Sequence, residues 1–276
     1  MKIALFVEGS RTPLPARMKD PLDRIWQEHL PDLLGHQSFA KVVGITKVNL
    51  VQLDPRRPKA SGNGEALDEL IERHLKLDPS IEAAVVAWDL EPPLIEGDAC
   101  RRRETVAVMR ALGASRCLRE PWRARAAAWA QRYAAGGPQG APAATAPLTP
   151  CEIRPLCISP EFEALFLDQR RMREALNVTR RQVRGWPKNG WDPGATRRPK
   201  QTVSEAVESV RRLSPPPDGL PPIRSPMVDS PNEWGEWLLR RMLQSPEGQA
   251  HVRADPMSRR LVDLVPPPTG ATTPAR

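Results

Sequence analysis

Two short apolar runs constrain this chain most, because each is continuous where a half-exposed strand would alternate. The first is Ile3-Ala-Leu-Phe-Val7 and the second is Ala83-Ala-Val-Val-Ala-Trp88. Runs of this length read as strands buried on both faces, as in a mostly parallel sheet covered by helices on either side. Each run stops abruptly at acid. Glu8-Gly9 follows the first, and Asp89-Leu90-Glu91 follows the second, with Pro92-Pro93 forbidding a regular continuation. The carboxyl ends of strands are where open α/β sheets place their ligands.

The rest of the chain supplies further elements in alternation. Leu22, Ile25, Trp26, Leu30, Leu33 and Leu34 follow helical spacing, and Val48 to Leu53 alternates as a second strand. Leu67, Leu70, Ile71 and Leu75 make an amphipathic helix. Residues 103–112 make another, with Gly113 as its C-cap. Trp122, Ala126, Trp129 and Tyr133 line one helical face, and Cys151 to Ser159 reads as a fourth strand. Phe162, Leu165, Phe166 and Leu176 lie on one face of the helix that follows. His74 lies near an apolar helical face and reads as a core or boundary residue. This order predicts an α/β domain over residues 1–212, interrupted by a flexible Ala/Gly/Pro-rich segment at 134–150. A mainly helical C-terminal extension follows at 213–265, where Trp234, Trp237, Leu238 and Met242 suit a helix packed back on the body. Residues 266–276 read as a disordered tail.

Composition narrows the classes. The 276 residues carry a formal net charge of +8 and 40% hydrophobic residues, enough for a core and suited to a polyanion partner. The four cysteines form no CxxC pair, which argues against a zinc ribbon. There is no basic leader followed by a long apolar run and no apolar stretch of about 18 residues, so a cytoplasmic protein without a membrane partner is expected. Walker A, HExxH and Gly-x-Ser-x-Gly patterns are absent from the sequence.

The acids at the two strand ends form the candidate site. In a parallel sheet those ends share one edge, so Glu8, Asp89 and Glu91 could reach one hard cation. Mg²⁺ takes carboxylate oxygens and keeps several waters, so two or three acids suffice. Asp89 and Glu91 are two apart and share one side if the strand runs through them. Acids at strand ends also cap helices or stand in solvent, and that reading stays open here.

Ile3-Ala-Leu-Phe-Val-Glu8-Gly9 resembles the first motif of the TOPRIM domain of topoisomerases, primases and OLD-type nucleases. Val85-Val-Ala-Trp-Asp89-Leu-Glu91 resembles its second motif, an apolar strand ending in Asp-x-Asp, with Glu91 where the family usually has Asp. The resemblance implies that Glu8 is the general acid/base and that Asp89 and Glu91 hold Mg²⁺ or Mn²⁺. Residues 158–168 are similar to the Glu-x-Trp-Leu-Leu-x-Asp segment of a TOPRIM-related bacterial family, followed there by a Pro-Lys element that Pro199-Lys200 matches. This likeness adds Glu163 as a fourth candidate metal acid and Lys200 as a catalytic cation for a scissile phosphate. It also implies an ATPase partner and a role in antiviral or mobile-element defence.

The positive charge is local. Residues 170–212 hold 12 Lys or Arg against 4 acids, an excess of +8 that equals the net charge of the whole chain. Trp186 and Trp191 interleave with Arg184, Lys188, Arg197 and Arg198, a pattern suited to phosphate contact plus base stacking on DNA or RNA. It also suits a solvated face with its tryptophans in the core. The expectation is a metal-dependent nuclease, with a non-catalytic TOPRIM-like effector or adaptor subunit as the alternative.

Overall fold

In the computed structural model the described residues are 1–8, 39–45, 49, 65–89, 102–135, 146–158, 162–192, 196, 199–217, 220 and 231–265. For residues 8, 39–42, 88–89, 102–104, 157–158, 162–163, 200, 231–236 and 256–257 the description is of the backbone alone.

Among the described residues four strands form one all-parallel sheet: β1 (Ile3–Glu8), β2 (Phe39–Ile45), β3 (Ala83–Asp89) and β4 (Ile153–Ile158). Their order is β2-β1-β3-β4, so the two continuous apolar runs are neighbours at the centre. Leu5 pairs with Val85 and Val7 with Ala87. The helices are α1 (Leu67–Leu77), α2 (Arg102–Gly113), α3 (Trp122–Ala135), α4 (Gln169–Leu176), α5 (Pro199–Arg211), α6 (Pro231–Met242), α7 (Pro246–Ala254) and α8 (Pro256–Leu264), with a 3₁₀ turn at Phe162–Leu167. The chain is thus an α/β protein. No helix among the described residues is long and apolar enough to cross a membrane.

Alternation along the central strands builds two cores. Ala4, Phe6, Ala84 and Val86 face one way, onto Leu67, Leu70 and Ile71 of α1, Met109 and Leu112 of α2, and Trp122, Ala126 and Trp129 of α3. Ile3, Leu5, Val7, Ala83, Val85 and Ala87 face the other, onto Leu165 and Phe166, Met172 and Leu176 of α4, and Val203 and Val207 of α5. Leu238, Leu239 and Met242 of α6, Val252 of α7, and Leu261 and Leu264 of α8 complete the same cluster. The C-terminal helices therefore share the core on this side of the sheet, α6 packing on α4 and α5. Each large side chain taken from water into these layers stabilises the fold by about 1.5–3 kcal/mol before chain entropy is set against it.

Several sequence expectations are corrected. The second strand is Phe39–Ile45, earlier than the alternating stretch at 48–53. Asn49, the one described residue of that stretch, lies outside any strand. Lys41 and Gly44 interrupt the apolar run of β2, which among the described residues is the outermost strand on its side and pairs with β1 alone. The single helix expected after β4 is two elements. Asp168 ends the 3₁₀ turn and caps α4, its carboxylate accepting the Arg171 N–H at 3.0 Å. Of the segment at 134–150, residues 136–145 lie outside the described residues; Ala134 and Ala135 finish α3, and Leu148 is buried with its N–H donating to the Leu264 carbonyl at 2.9 Å. The helix expected at 22–34 and the tail at 266–276 lie outside the described residues.

Gly113 is not a left-handed cap. It is the last residue of α2, and a Cβ built on it would stand 2.7 Å from Cα and Cβ of Ala127. Glycine is there because α2 and α3 touch backbone to backbone. A polar seam fastens α1 to the α2–α3 connection. Ser115 Oγ donates to Asp68 at 2.6 Å and accepts the N–H groups of Cys117 and Leu118. Arg119 grips the buried Glu72 carboxylate at 2.8 Å. Burial pushes the Glu72 carboxyl up, but the Arg119 hydrogen bonds and charge, helped by Lys76, outweigh it and hold it below the usual range.

Two outcomes check this packing. Gly113→Ala should destabilise the protein by about 1–3 kcal/mol in urea unfolding, and Ala127→Gly in the same chain should restore part of that loss. Glu72→Gln should cost about 1–2 kcal/mol at neutral pH, the low end for a charged hydrogen bond because Arg119 is partly solvated. A depressed carboxyl contributes stability above its unfolded-state value and loses it as pH falls through the folded one. The unfolding free energies of wild type and Glu72→Gln should therefore converge in acid.

Candidate functional site

Glu8 and Asp89 are the last residues of β1 and β3, which are adjacent and parallel. The ladder runs to Val7 opposite Ala87, so residue 8 stands one step beyond that pair and residue 89 two steps beyond. A strand spacing of about 4.8 Å and a rise of about 3.3 Å per residue put their Cα atoms about 6 Å apart. That is close enough for two carboxylate-bearing positions to serve one cation.

The register adds a constraint. Position 8 continues the series Ala4, Phe6, while position 89 continues Ala83, Val85, Ala87, and these series belong to opposite faces. Glu8 still pairs with Ile45 of β2 and Asp89 with Ile158 of β4, so the two positions share the carboxyl edge of the sheet but differ in face.

Two more candidates lie on elements near this edge. Ile158, the last residue of β4, pairs with Asp89. Position 163 is in the first turn of the 3₁₀ segment, five residues further on. Lys200 is the second residue of α5, which packs against that 3₁₀ segment. Glu91, Arg197 and Arg198 lie outside the described residues. Among the described side chains no group of three His, Cys, Asp or Glu is placed to hold a metal, and those of Glu8, Asp89 and Glu163 are not among them. The backbone thus places two acid positions at neighbouring strand ends and a third after the next strand.

The described basic residues divide into those paired with a carboxylate and those with no ion pair among the described residues. On α4, Arg170 and Arg171 both bind Glu174, at 3.1 and 2.7 Å. Burial works against the charge of Glu174, yet the hydrogen bonds from Arg171 and Arg170 hold its carboxyl below the usual range. On α5, Arg211 and Arg212 both face Glu208, at 3.8 and 3.4 Å. The turns at 179–190 differ. Arg180, Arg181, Arg184 and Lys188 are all exposed there, and among the described residues none of the four forms an ion pair. Arg184 and Lys188 are candidates from the sequence; Arg180 and Arg181 share their exposure, and the lack of any acid between Glu174 and Asp192 marks all four.

Trp186 corrects the expected stacking role. Its indole is buried, its ring lies 4.9 Å from that of Trp191, and its Nε1–H donates to Ser209 Oγ at 2.9 Å. A nucleic-acid base could stack on it only after the core opened. Interleaving of tryptophan with arginine reflects anchoring at this position: the ring pins the turn while the cations face outward. His74 is likewise a buried residue, set edge-on to Phe6 with ring centroids 5.9 Å apart.

No protein-family model, curated protein or solved structure matches this chain.

Trp186→Phe, which loses the Ser209 hydrogen bond and part of a buried ring, should lower stability by about 1–3 kcal/mol. Arg184→Ala should leave stability within about 0.5 kcal/mol. Thermal and urea unfolding of both variants check the division between anchor and exposed cation.

Proposed function

We propose that this chain is a TOPRIM-like, metal-dependent nuclease that hydrolyses phosphodiester bonds at the rim between β1 and β3. The carrying observation is that its two central strands, adjacent and parallel, each end in an acid-bearing position. The all-parallel α/β sheet agrees with that reading, as does the local excess of positive charge.

In this reading Asp89 and Glu91, with Glu8 and Glu163, hold Mg²⁺ or Mn²⁺. A bound divalent cation supplies charge stabilisation at the scissile phosphate. Glu8 moves a proton to or from the attacking or leaving oxygen. Lys200 offsets negative charge developing on the phosphate. The exposed basic turn holds the DNA or RNA strand by its phosphates. The biological setting is a bacterial defence-type system in the cytoplasm, working with an ATPase partner.

A second reading has a specific observation in its favour. Positions 8 and 89 have opposite parity in the sheet, which weighs against a cation held over one face. Glu91 also replaces the aspartate usual in the motif. In that case the chain is a non-catalytic effector or adaptor that binds a protein partner or nucleic acid.

Cleavage of labelled DNA and RNA with Mg²⁺ or Mn²⁺ separates the two. Under the nuclease reading, Glu8→Gln and Asp89→Asn each reduce the rate about 10²- to 10⁴-fold, and EDTA abolishes cleavage. Cleavage by purified Glu8→Gln at the wild-type rate would remove the assignment. Stable co-purification with an ATPase, with no metal-dependent cleavage by the complex, would favour the adaptor.

A further inference from the structure

We infer that the turns at 179–190 form a preformed cationic platform for the sugar-phosphate backbone of a nucleic acid, reading charge and not bases. The inference deepens the nucleic-acid part of the reading above and rests on it, but it needs no metal at the strand rim.

The segment is held firmly from beneath. Val178, Val183 and Trp186 are buried in the cluster shared with β1 and α5. Trp186 is tied to Ser209, and the Pro187 carbonyl accepts from Gln169 Nε2 at 3.0 Å, fixing the turn to the start of α4. The first turn is closed by Gln182, whose Oε1 accepts from both N–H and Oγ of Thr179, at 2.9 and 2.8 Å. The last is closed by the Gly190 N–H donating to Pro187 O at 3.2 Å, with Gly190 at φ +83°. A backbone already held in place loses less freedom when a ligand docks.

The upper side carries Arg180, Arg181, Arg184 and Lys188, all exposed. Arg180 Nη2 reaches the Lys188 carbonyl at 3.5 Å, and no carboxylate among the described residues neutralises any of the four. The contrast with the Glu174-paired and Glu208-paired arginines of α4 and α5 is what singles out this surface. Its ligand is an extended polyanion. An anionic membrane would need an apolar wedge beside the cations, but Val183 and Trp186 point into the core. Stacking on bases would need an open ring, and Trp186 is buried while Trp191 is half-buried against it. What remains is phosphate contact, which is independent of sequence and strongly dependent on salt.

The test is fluorescence anisotropy of the full chain with labelled duplex and single-stranded oligonucleotides of two unrelated sequences. It is run in EDTA across a range of NaCl. Wild type is compared with Arg181→Ala/Arg184→Ala/Lys188→Ala. The control is Arg110→Ala/Arg116→Ala/Arg132→Ala, which removes three exposed arginines from the α2–α3 layer on the other side of the sheet. The platform variant should bind about tenfold or more weakly at low salt, equally for both sequences. Its slope of log affinity against log salt should fall by about 2–3 units, one per lost phosphate contact. The control should stay within about twofold of wild type.

Wild-type affinity in a platform variant that is folded by circular dichroism would overturn the inference. So would an equal loss in the control, which would mean that net charge alone drives binding. Wild type that binds anionic vesicles but neither oligonucleotide would overturn it as well. A chain that binds through the platform, yet does not cleave with Mg²⁺ or Mn²⁺, would remove the nuclease reading and leave this one standing.

Discussion

The pairing of β1 with β3 is the constraint on which the rest depends. Both strands are apolar at every position from residue 3 to 7 and from 83 to 87, and each of those positions is buried. Two adjacent strands with no polar face need a helical layer on either side. The chain provides α1–α3 for one face and the 3₁₀ segment with α4–α8 for the other. Charge on these strands is confined to their ends, because an unpaired carboxylate in the middle of either would face a core. The same rule that makes the fold therefore brings Glu8 and Asp89 to one rim.

Legibility in the sequence followed burial. The runs at 3–7 and 83–88 could be read because total burial leaves an unbroken apolar signal, and α1 and α3 because a single buried stripe leaves helical spacing. The second strand could not: Lys41 and Gly44 break its run, so no unbroken apolar signal marks it. Gly113 was legible as an important glycine but not as a packing one, since a helix end and a close helix crossing ask for the same residue. Asp168 shows the same limit, for the apolar stripe on either side of it continues although the helix does not.

At the site, the sequence announced which residues end the central strands, but not that those strands are direct neighbours or that positions 8 and 89 have opposite parity. Both depend on strand order and register, which are set by the packing of the whole sheet. In the basic segment, charge could be counted from the sequence but its partners could not. Glu174 and Glu208 pair with the helical arginines, whereas no carboxylate among the described residues pairs with the cations of the turn. Trp186 illustrates why a pattern of residue types is not a surface: the ring that suggested base stacking is what holds the turn to the core.

The central claim is one divalent cation shared between residues 8 and 89. The most direct measurement is anomalous diffraction from crystals soaked in Mn²⁺. The account requires a single strong peak at the carboxyl ends of β1 and β3, within inner-sphere distance (about 2.2 Å) of oxygens from both side chains. A peak bound by only one of them, or none at that rim while the ion binds elsewhere, would contradict it.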